Sequence, residues 1–218
     1  MRILHIDTEL TWRGGENQLR LLLNGLKSTD IENHVALRPG SLAIERLHGL
    51  AEQIVLPIRG GFDVLAARQL ATYCKSKKID LIDAHTSNGH ALGLLLRHFC
   101  PWTRLVVHRR VDYAPHRGLL NRRKYLSPKV DSYVAISHAI AGVLANYGIP
   151  NNRIEVVRSA IDPSVYECLD RETARRELAQ SFGIDPKTLL IGNASALTDQ
   201  KGYEVLLDAA SILKRQGE

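Results

Sequence analysis

The chain has 218 residues, 44% hydrophobic and 24% charged, which is the composition of a globular protein. No apolar run approaches the ~18–20 residues of a membrane span, and the N-terminus shows no secretory signal pattern, so a cytoplasmic protein is expected. The 29 Lys and Arg residues outnumber the 23 Asp and Glu residues, and the net charge of +6 favours anionic partners. Three widely spaced cysteines without C-x-x-C spacing predict reduced thiols and no zinc site: Cys74, Cys100 and Cys168.

The chain opens with an apolar strand over Arg2–Ile6, a glycine pair and an amphipathic helix from Glu16. Gly14 and Gly15 would then place free backbone N–H groups and the positive end of a helix dipole at the carboxyl edge of a sheet, where anions bind. The alternative is that the pair only permits a tight turn with positive φ. The turn lacks the G-x-G-x-x-G fingerprint, so no nicotinamide or flavin cofactor is implied.

Strand and helix patterns alternate through the next 130 residues or so. Further strands are predicted at 32–37, 53–56, 79–84, 104–108, 132–136 and 153–157. Helices are predicted at 41–50, after Asp63 with Leu65, Leu70 and Tyr73 facing inward, at 90–99, and at 138–147 between Ser137 and Gly148. This alternation predicts an α/β fold with a doubly wound, Rossmann-like parallel sheet.

The composition shifts near Asp162, and a second strand–loop–helix unit follows. A charged helix is predicted over 167–182, a buried strand over 188–193 and an amphipathic helix over 203–215. One such unit cannot bury its own core, so we expect a truncated second domain.

Four stretches, in order, resemble the GT-B fold glycosyltransferases of family 4 (group 1): Gly14–Gln18, Asp80–His85, Tyr133–Val157 and Gln200–Gly202. The resemblance implies a retaining, metal-independent hexosyltransferase that moves a sugar from a nucleotide sugar to a cell-surface glycan or lipid-linked acceptor. It implies no cofactor besides the nucleotide-sugar donor, and no nucleic acid partner.

The resemblance also divides the chain. Residues 1–165 correspond to the acceptor-binding N-terminal domain, and residues 166–218 to a linker helix and the first strand–helix unit of the donor domain. Ala196 stands where the family commonly has an Arg for the donor diphosphate, and Ser159–Ala160 replace a common Asn-Gly. The fragment alone is expected to be inactive.

Sugar transfer requires charge to be stabilised on a leaving nucleoside diphosphate, mainly by positioned N–H groups and cations. The resemblance assigns donor binding to Gly14, Gly15, the helix start at Glu16 and Lys201. For Glu16, a general base and a helix cap both remain open.

The resemblance places His108 and His85 at strand ends as the catalytic histidines, although half-buried histidines with satisfied hydrogen bonds are the alternative. It assigns acceptor binding to a further set: Arg109, Arg110, Asp112 and Ser137. Asp112 has a second interpretation, a salt bridge to its arginine neighbours.

The stretch from Arg104 to Lys124 carries the basic excess, with Asp112 as its one acid. It has two candidate uses, which are binding a phosphorylated or anionic acceptor and docking on the anionic inner face of the membrane, where each basic residue is worth ~1 kcal/mol.

Two rival functions also remain. One is another GT-B enzyme such as a sugar-nucleotide epimerase, which needs acidic and His residues that look sparse here. The other is a non-enzymatic basic module with salt-sensitive binding to membrane or RNA.

Overall fold

The computed structural model describes residues 1–168, 170–195 and 197–216. Its internal contacts divide the chain into two units between Asp162 and Pro163, and each unit is described by itself. Ala196, which stands where the family commonly has an Arg, lies outside the described residues.

Seven parallel strands form the sheet of the first unit. They are β1 (Arg2–Ile6), β2 (Glu32–Leu37), β3 (Glu52–Val55), β4 (Leu81–Ala84), β5 (Arg104–Arg109), β6 (Ser132–Ala135) and β7 (Ile154–Val156). Their spatial order is β3-β2-β1-β4-β5-β6-β7, so the chain changes direction between β1 and β4. Ligands of open α/β sheets bind at this switch point, beyond the carboxyl ends of the strands. The predicted doubly wound parallel sheet is confirmed.

Helices cover both faces of this sheet. Ala36 packs into one hydrophobic cluster with residues of the third and fourth helices, while its neighbours Val35 and Leu37 pack into another with the first helix. The helices are α1 (Gly14–Leu26), α2 (Ala43–Arg46), α3 (Val64–Lys77), α4 (Ser87–Phe99), α5 (Leu119–Tyr125), α6 (His138–Tyr147), α7 (Ser164–Glu167), α8 (Arg171–Phe182) and α9 (Tyr203–Gln216). Among the described residues, no helix combines the length and the apolar character that crossing a bilayer requires.

Two helices begin earlier than the sequence predicts. Gly14 and Gly15 are the first residues of α1, and neither has a positive φ, so the pair opens the helix instead of forming a turn. Helix α4 begins at Ser87 because the Thr86 hydroxyl caps it, accepting a hydrogen bond from the Gly89 N–H at 3.0 Å. Gly89 is needed there, since a Cβ would stand 2.9 Å from the Ile6 carbonyl oxygen.

The predicted inner face of α3 is partly wrong. Asp63 caps this helix as expected, accepting from the Ala66 N–H. That start point turns Ala66, Leu70 and Cys74 toward the sheet and leaves Leu65 66% exposed. Helices α2 and α8 are shorter than predicted, and α5 was not predicted.

Ser137 caps α6, and its hydroxyl accepts from the Ile140 N–H at 3.2 Å. We expect Ser137→Ala to lower the free energy of unfolding by about 1 kcal/mol, because one N–H of the first turn loses its partner. Urea denaturation followed by circular dichroism measures this. Ser137→Asp, which keeps a capping oxygen, should retain wild-type stability; an equal loss in both variants would show that the cap is not responsible.

The second unit contains α7, α8 and α9, and the strand predicted over 188–193 is wrong. The segment is irregular, with Leu189 82% and Ile191 71% exposed. A parallel strand forms only against a neighbour that takes its backbone hydrogen bonds, and none is present in the described part of this unit. For the same reason the predicted inner residues of α9, such as Val205 and Ile212, are exposed.

Candidate functional site

A cleft of about 650 Å³ lies at the carboxyl edge of the sheet in the first unit. It is bounded by the start of α1, the end of β4 and the segment that follows β5. Six predicted site residues line it: Gly15, Glu16, His85, His108, Arg109 and Arg110.

Asp83, near the end of β4, is the centre of a buried ionisable cluster beside this cleft. His5 Nδ1 and His85 Nε2 each lie 3.0 Å from its Oδ2 atom, and His108 Nε2 lies 2.9 Å from Oδ1, off the hydrogen-bond direction. The strand register explains the convergence, because Asp83 pairs with His5 on β1 and with Val106 on β5. His108, two residues beyond Val106, therefore emerges on the same face of the sheet.

Hydrogen bonds on the outer side of the two buried rings orient them, and the contact with Arg110 fixes the tautomer of His85, whose Nε2 also lies 3.1 Å from His5 Nδ1. The Asn33 Oδ1 atom accepts from His5 Nε2 at 3.1 Å. Arg110 Nη2 lies 2.9 Å from His85 Nδ1 and its Nη1 donates to the His85 carbonyl at 3.2 Å. A guanidinium can only donate, so His85 Nδ1 accepts and Nε2 carries the hydrogen that points at Asp83. Neutral His85 thus bridges Arg110 to Asp83.

The protonation states follow from burial and contacts. Burial lowers the pKa of His85 to about 3, with Asp83 opposing the shift. Burial alone would raise the pKa of Asp83, but its contacts with His85, His108 and His5 outweigh it and hold that pKa well below the usual range. Near neutral pH the cluster therefore holds an ionised Asp83 and an uncharged His85.

The atoms of His5, Asp83 and His85 lie within 4.8 Å of one another, and these residue types are common zinc ligands. The hydrogen bonds do not fit a metal. His85 Nε2 could ligate only with its proton on Nδ1, which faces the Arg110 donor at 2.9 Å. A cation here would also lie near that guanidinium. The arrangement therefore fits a hydrogen-bonded cluster better than a metal centre.

His108 is the part of this cluster that reaches the cleft. Its ring stacks on His85 with centroids 4.5 Å apart, and its side chain is 15% exposed against 0% for His85. With Nε2 against Asp83, the Nδ1 atom is left for a ligand. Both ring nitrogens of His85 are engaged within the protein, whereas His108 keeps one ring nitrogen free of the cluster. His85 positions Arg110 and Asp83.

The start of α1 forms the opposite wall. The Glu16 carboxylate is buried and accepts from the Arg13 backbone N–H at 2.7 Å, which is a capping role. The Arg110 guanidinium lies 3.7 Å from the place that a Cβ on Gly15 would occupy. A helix N-terminus and a guanidinium therefore meet at Gly15, which suits an anion. Gly14 is not part of the wall.

The basic segment divides into buried and exposed cations. Arg109 is 8% exposed and donates to the Tyr125 hydroxyl at 2.9 Å and to the Tyr113 carbonyl. Its guanidinium also lies over the Tyr113 ring. Three arginines are instead solvent-exposed: Arg117, Arg122 and Arg123.

Two further predicted site residues of the first unit, Asp112 and Ser137, do not line the cleft. Asp112 is exposed, and in the described part of the chain it forms no ion pair, so its expected salt bridge is absent. Ser137 uses its hydroxyl as a helix cap. Lys201 is exposed in a short 3-10 turn (Asp199–Lys201) of the second unit.

Sequence reasoning missed His5, Asp83 and Asp7. Asp7 follows β1, is fully buried, and accepts from the Glu9 N–H at 2.9 Å through Oδ1, while Oδ2 has no partner among the described residues. Burial raises the pKa of Asp7 to about 6, against a smaller opposing effect of the Glu9 hydrogen bond. The available signal was an ionisable residue within or directly after an apolar strand, which is rare unless it is paired or functional.

A model of Glycosyltransferase Family 4 matches residues 12–165 of the sequence. The chain belongs to Glycosyltransferase Family 4. The match confirms the resemblance to this family and covers three of the four motifs, whereas Gln200–Gly202 lies beyond the matched residues. No curated protein sequence matches the chain.

Solved structures share the GT-B fold of this family 4 chain. A glycosyltransferase from Rickettsia africae ESF-5 superposes with a TM-score of 0.80 at 19% identity, covering 98% of this chain and 57% of that one. Anabaena Alr3699/HepE in complex with UDP-glucose gives 0.78 at 18% identity, covering 96% and 57%. UDP-GlcNAc 2-epimerase from Neisseria meningitidis bound to UDP-GlcNAc gives 0.57 at 14% identity, covering 84% and 54%. The chain thus spans little more than half the length of these proteins.

Proposed function

We propose that the complete protein is a retaining, metal-independent glycosyltransferase that moves a hexosyl group from a nucleotide sugar to a cell-surface glycan or lipid-linked acceptor. One observation carries this proposal. In the cleft of this family 4 chain, His108, which contacts Asp83, lies across from the N-terminus of α1. The bound UDP-glucose of HepE supports a UDP-sugar as donor.

The geometry suggests a division of labour. As the donor bond breaks, negative charge grows on the diphosphate, and the α1 N-terminus at Gly15 with the Arg110 guanidinium would stabilise it. Lys201, by the family resemblance, would add a second cation from the donor domain. His108 would hydrogen-bond the transferred sugar through Nδ1, because Asp83 fixes the ring on its other side.

The test uses the complete gene product and UDP-, GDP- and ADP-sugars, with thermal shift and sugar-nucleotide hydrolysis as readouts. One nucleotide sugar should raise Tm and be hydrolysed slowly. Gly15→Val, which places methyl groups against Arg110, and Lys201→Ala should abolish both effects. Gly142→Val is the matched control, since the site of its Cβ in α6 is open. A protein that ignores every nucleotide sugar would overturn the proposal.

A sugar-nucleotide epimerase is the second candidate. The sequence made acidic and His residues look sparse, yet the structure gathers Asp83 with His5, His85 and His108 beside the cleft. The likeness to the epimerase, at a TM-score of 0.57, is weaker than the 0.80 of the Rickettsia transferase. Conversion of a nucleotide sugar into its epimer without any acceptor would favour this candidate.

We further propose that the protein works in the cytoplasm at the inner face of the membrane. A groove beside the cleft exposes three large apolar side chains, Phe62, Leu119 and Leu120. The exposed arginines Arg117, Arg122 and Arg123 flank Leu119 and Leu120 in the chain. Apolar side chains next to basic ones are typical of surfaces that dock on anionic bilayers.

Removing two of these arginines should weaken membrane binding. At ~1 kcal/mol per basic residue, replacing Arg122 and Arg123 together with Ala should reduce affinity for vesicles containing anionic lipid roughly 30-fold. Vesicle co-sedimentation measures this. Arg104→Ala, an exposed arginine at the other end of β5, is the control and should bind like wild type. Equal binding to neutral vesicles would contradict membrane docking by charge.

A further inference from the structure

Arg109 is a buried cation without a counter-charge. No carboxylate in the described part of the chain lies within 4.0 Å of it, and its Nε atom has no hydrogen-bond partner. Its two hydrogen bonds go to neutral groups, the Tyr125 hydroxyl and the Tyr113 carbonyl. Burying a guanidinium without an ionic partner costs free energy. A buried, unpaired arginine is therefore expected where a bound anion supplies the missing charge.

Lys124 is a second uncompensated cation beside the same ring. Its Nζ donates to the Ser87 carbonyl at 2.8 Å and lies 2.9 Å from the Ser87 hydroxyl, and no acid in the described ranges forms an ion pair with it. Lys124 Nζ and the Arg109 guanidinium lie 5.3 Å and 5.8 Å from the centroid of Tyr125. Burial, together with the Arg109 charge, lowers the pKa of Lys124 to about 8. Two positive charges therefore face one aromatic ring.

His90 adds an unused hydrogen-bonding group at this place. It is 1% exposed, and neither of its ring nitrogens has a partner in hydrogen-bond geometry among the described residues, although the Lys124 backbone carbonyl is close enough to act on the ring. Its ring meets Tyr125 edge-on, with centroids 5.0 Å apart. Buried polar groups are normally hydrogen-bonded, so a neutral imidazole left unpaired beside two cations indicates a missing ligand.

The three groups adjoin the cleft at a position separate from the Gly15 wall. His90, Arg109 and Tyr125 line the cleft itself, and Lys124 lines the adjoining groove that shares Ser87 with it. Arg109 and Arg110 are consecutive, so their side chains leave the chain toward opposite faces. Arg110 accordingly contacts His85 and Gly15, and Arg109 contacts Tyr125 on α5.

We propose that Arg109, Lys124 and His90 form a subsite for a phosphate group of the acceptor. The inference rests on the proposed transferase function and deepens it by naming the acceptor class, a phosphorylated molecule whose phosphate is bound here while its hydroxyl faces His108. Two fixed cations with an additional donor match the charge of a phosphate better than that of a neutral glycan. The exposed arginines Arg117, Arg122 and Arg123 are not needed for it.

The experiment measures Tm of the protein with inorganic phosphate, at constant ionic strength against chloride. Phosphate at ten times its dissociation constant raises the ratio of folded to unfolded protein about eleven-fold. For a chain of this size, this corresponds to a rise in Tm of roughly 3–5 °C. We expect this rise in wild type, and its loss in Arg109→Met and in Lys124→Met. The control Arg123→Met removes an exposed neighbour and should keep the rise, which also excludes a general salt effect.

Gly15→Val separates this inference from the transferase proposal. If phosphate binds at Arg109 and Lys124, Gly15→Val keeps the phosphate shift and loses the nucleotide-sugar shift. If Gly15→Val removes the phosphate shift while Lys124→Met retains it, phosphate binds at the donor wall, and the inference is wrong although the transferase proposal stands. An unchanged Tm in wild type also overturns it. A parallel titration with acetate distinguishes a carboxylate subsite, which an equal shift would indicate in place of a phosphate subsite.

Discussion

Replacing Asp83 with Asn is expected to lower the free energy of unfolding at pH 7 by about 3–5 kcal/mol, the range for breaking a buried charged contact by removing one partner. Asp83 is the buried carboxylate against which His5, His85 and His108 pack, and through His85 it faces the Arg110 guanidinium. Asn keeps the shape but not the charge, so Arg110 loses the carboxylate that acts on it most strongly, ahead of Asp7 and Glu16. Urea denaturation followed by circular dichroism gives the difference.

Asp112→Asn is the matched control for this prediction. Asp112 is exposed and forms no ion pair in the described part of the chain, so the same chemical change should stay within about 0.5 kcal/mol of wild type. A loss below about 1 kcal/mol for Asp83→Asn would mean that the cluster is held by packing and neutral hydrogen bonds alone, and that His108 does not depend on an ionised Asp83.

The sheet was predictable because its strands are short apolar runs bounded by turn residues, and buried parallel strands have this pattern wherever they occur. Caps were predictable for the same local reason: Asp63 and Ser137 each bond an N–H three residues on. The structure of residues 188–193 was not predictable in this way. A strand forms only by hydrogen bonding to a neighbouring strand, and the local sequence pattern does not show whether that neighbour is present.

The site was predictable only in part. His85 and His108 stand at strand ends, which the sequence marks, but their unequal access to the cleft depends on register and stacking. Asp83 lies inside the Asp80–His85 stretch, and the family resemblance of that stretch did not single it out. Its partner His5 lies 78 residues away, and only the pairing of β1 with β4 brings the two together.

Acidification from pH 7 to pH 5 is expected to lower the free energy of unfolding, and His85 alone contributes about 2 kcal/mol to this fall. The pKa of His85 is about 3 in the folded protein and ~6.5 in an unfolded chain, so the unfolded state binds a proton that the folded state excludes. The stability from neutral His85 is therefore fully present above about pH 6.5 and is lost as pH falls toward 3. His90, whose pKa burial also lowers, acts in the same direction. Urea denaturation at a series of pH values measures the slope.

Asp7 opposes this trend, and Asp7→Asn therefore tests its origin. Burial raises the pKa of Asp7 to about 6, so the stability of its protonated form is present below about pH 4 and is lost as pH rises through 6. Between pH 7 and pH 5 it offsets about 1.4 kcal/mol of the histidine effect, one pH unit below a pKa of 6. Asp7→Asn removes that offset, so its stability should fall more steeply than wild type over this interval and match or exceed wild type at pH 7. Parallel slopes would show that Asp7 does not titrate there, and a flat profile in Asp7→Asn would show that His85 and His90 reach solvent before the protein unfolds. A steep dependence of stability on pH would show that water does not reach the ionisable cluster behind His108, and a flat dependence would show that it does. Exclusion of water is the condition under which an ionised Asp83 orients the His108 ring.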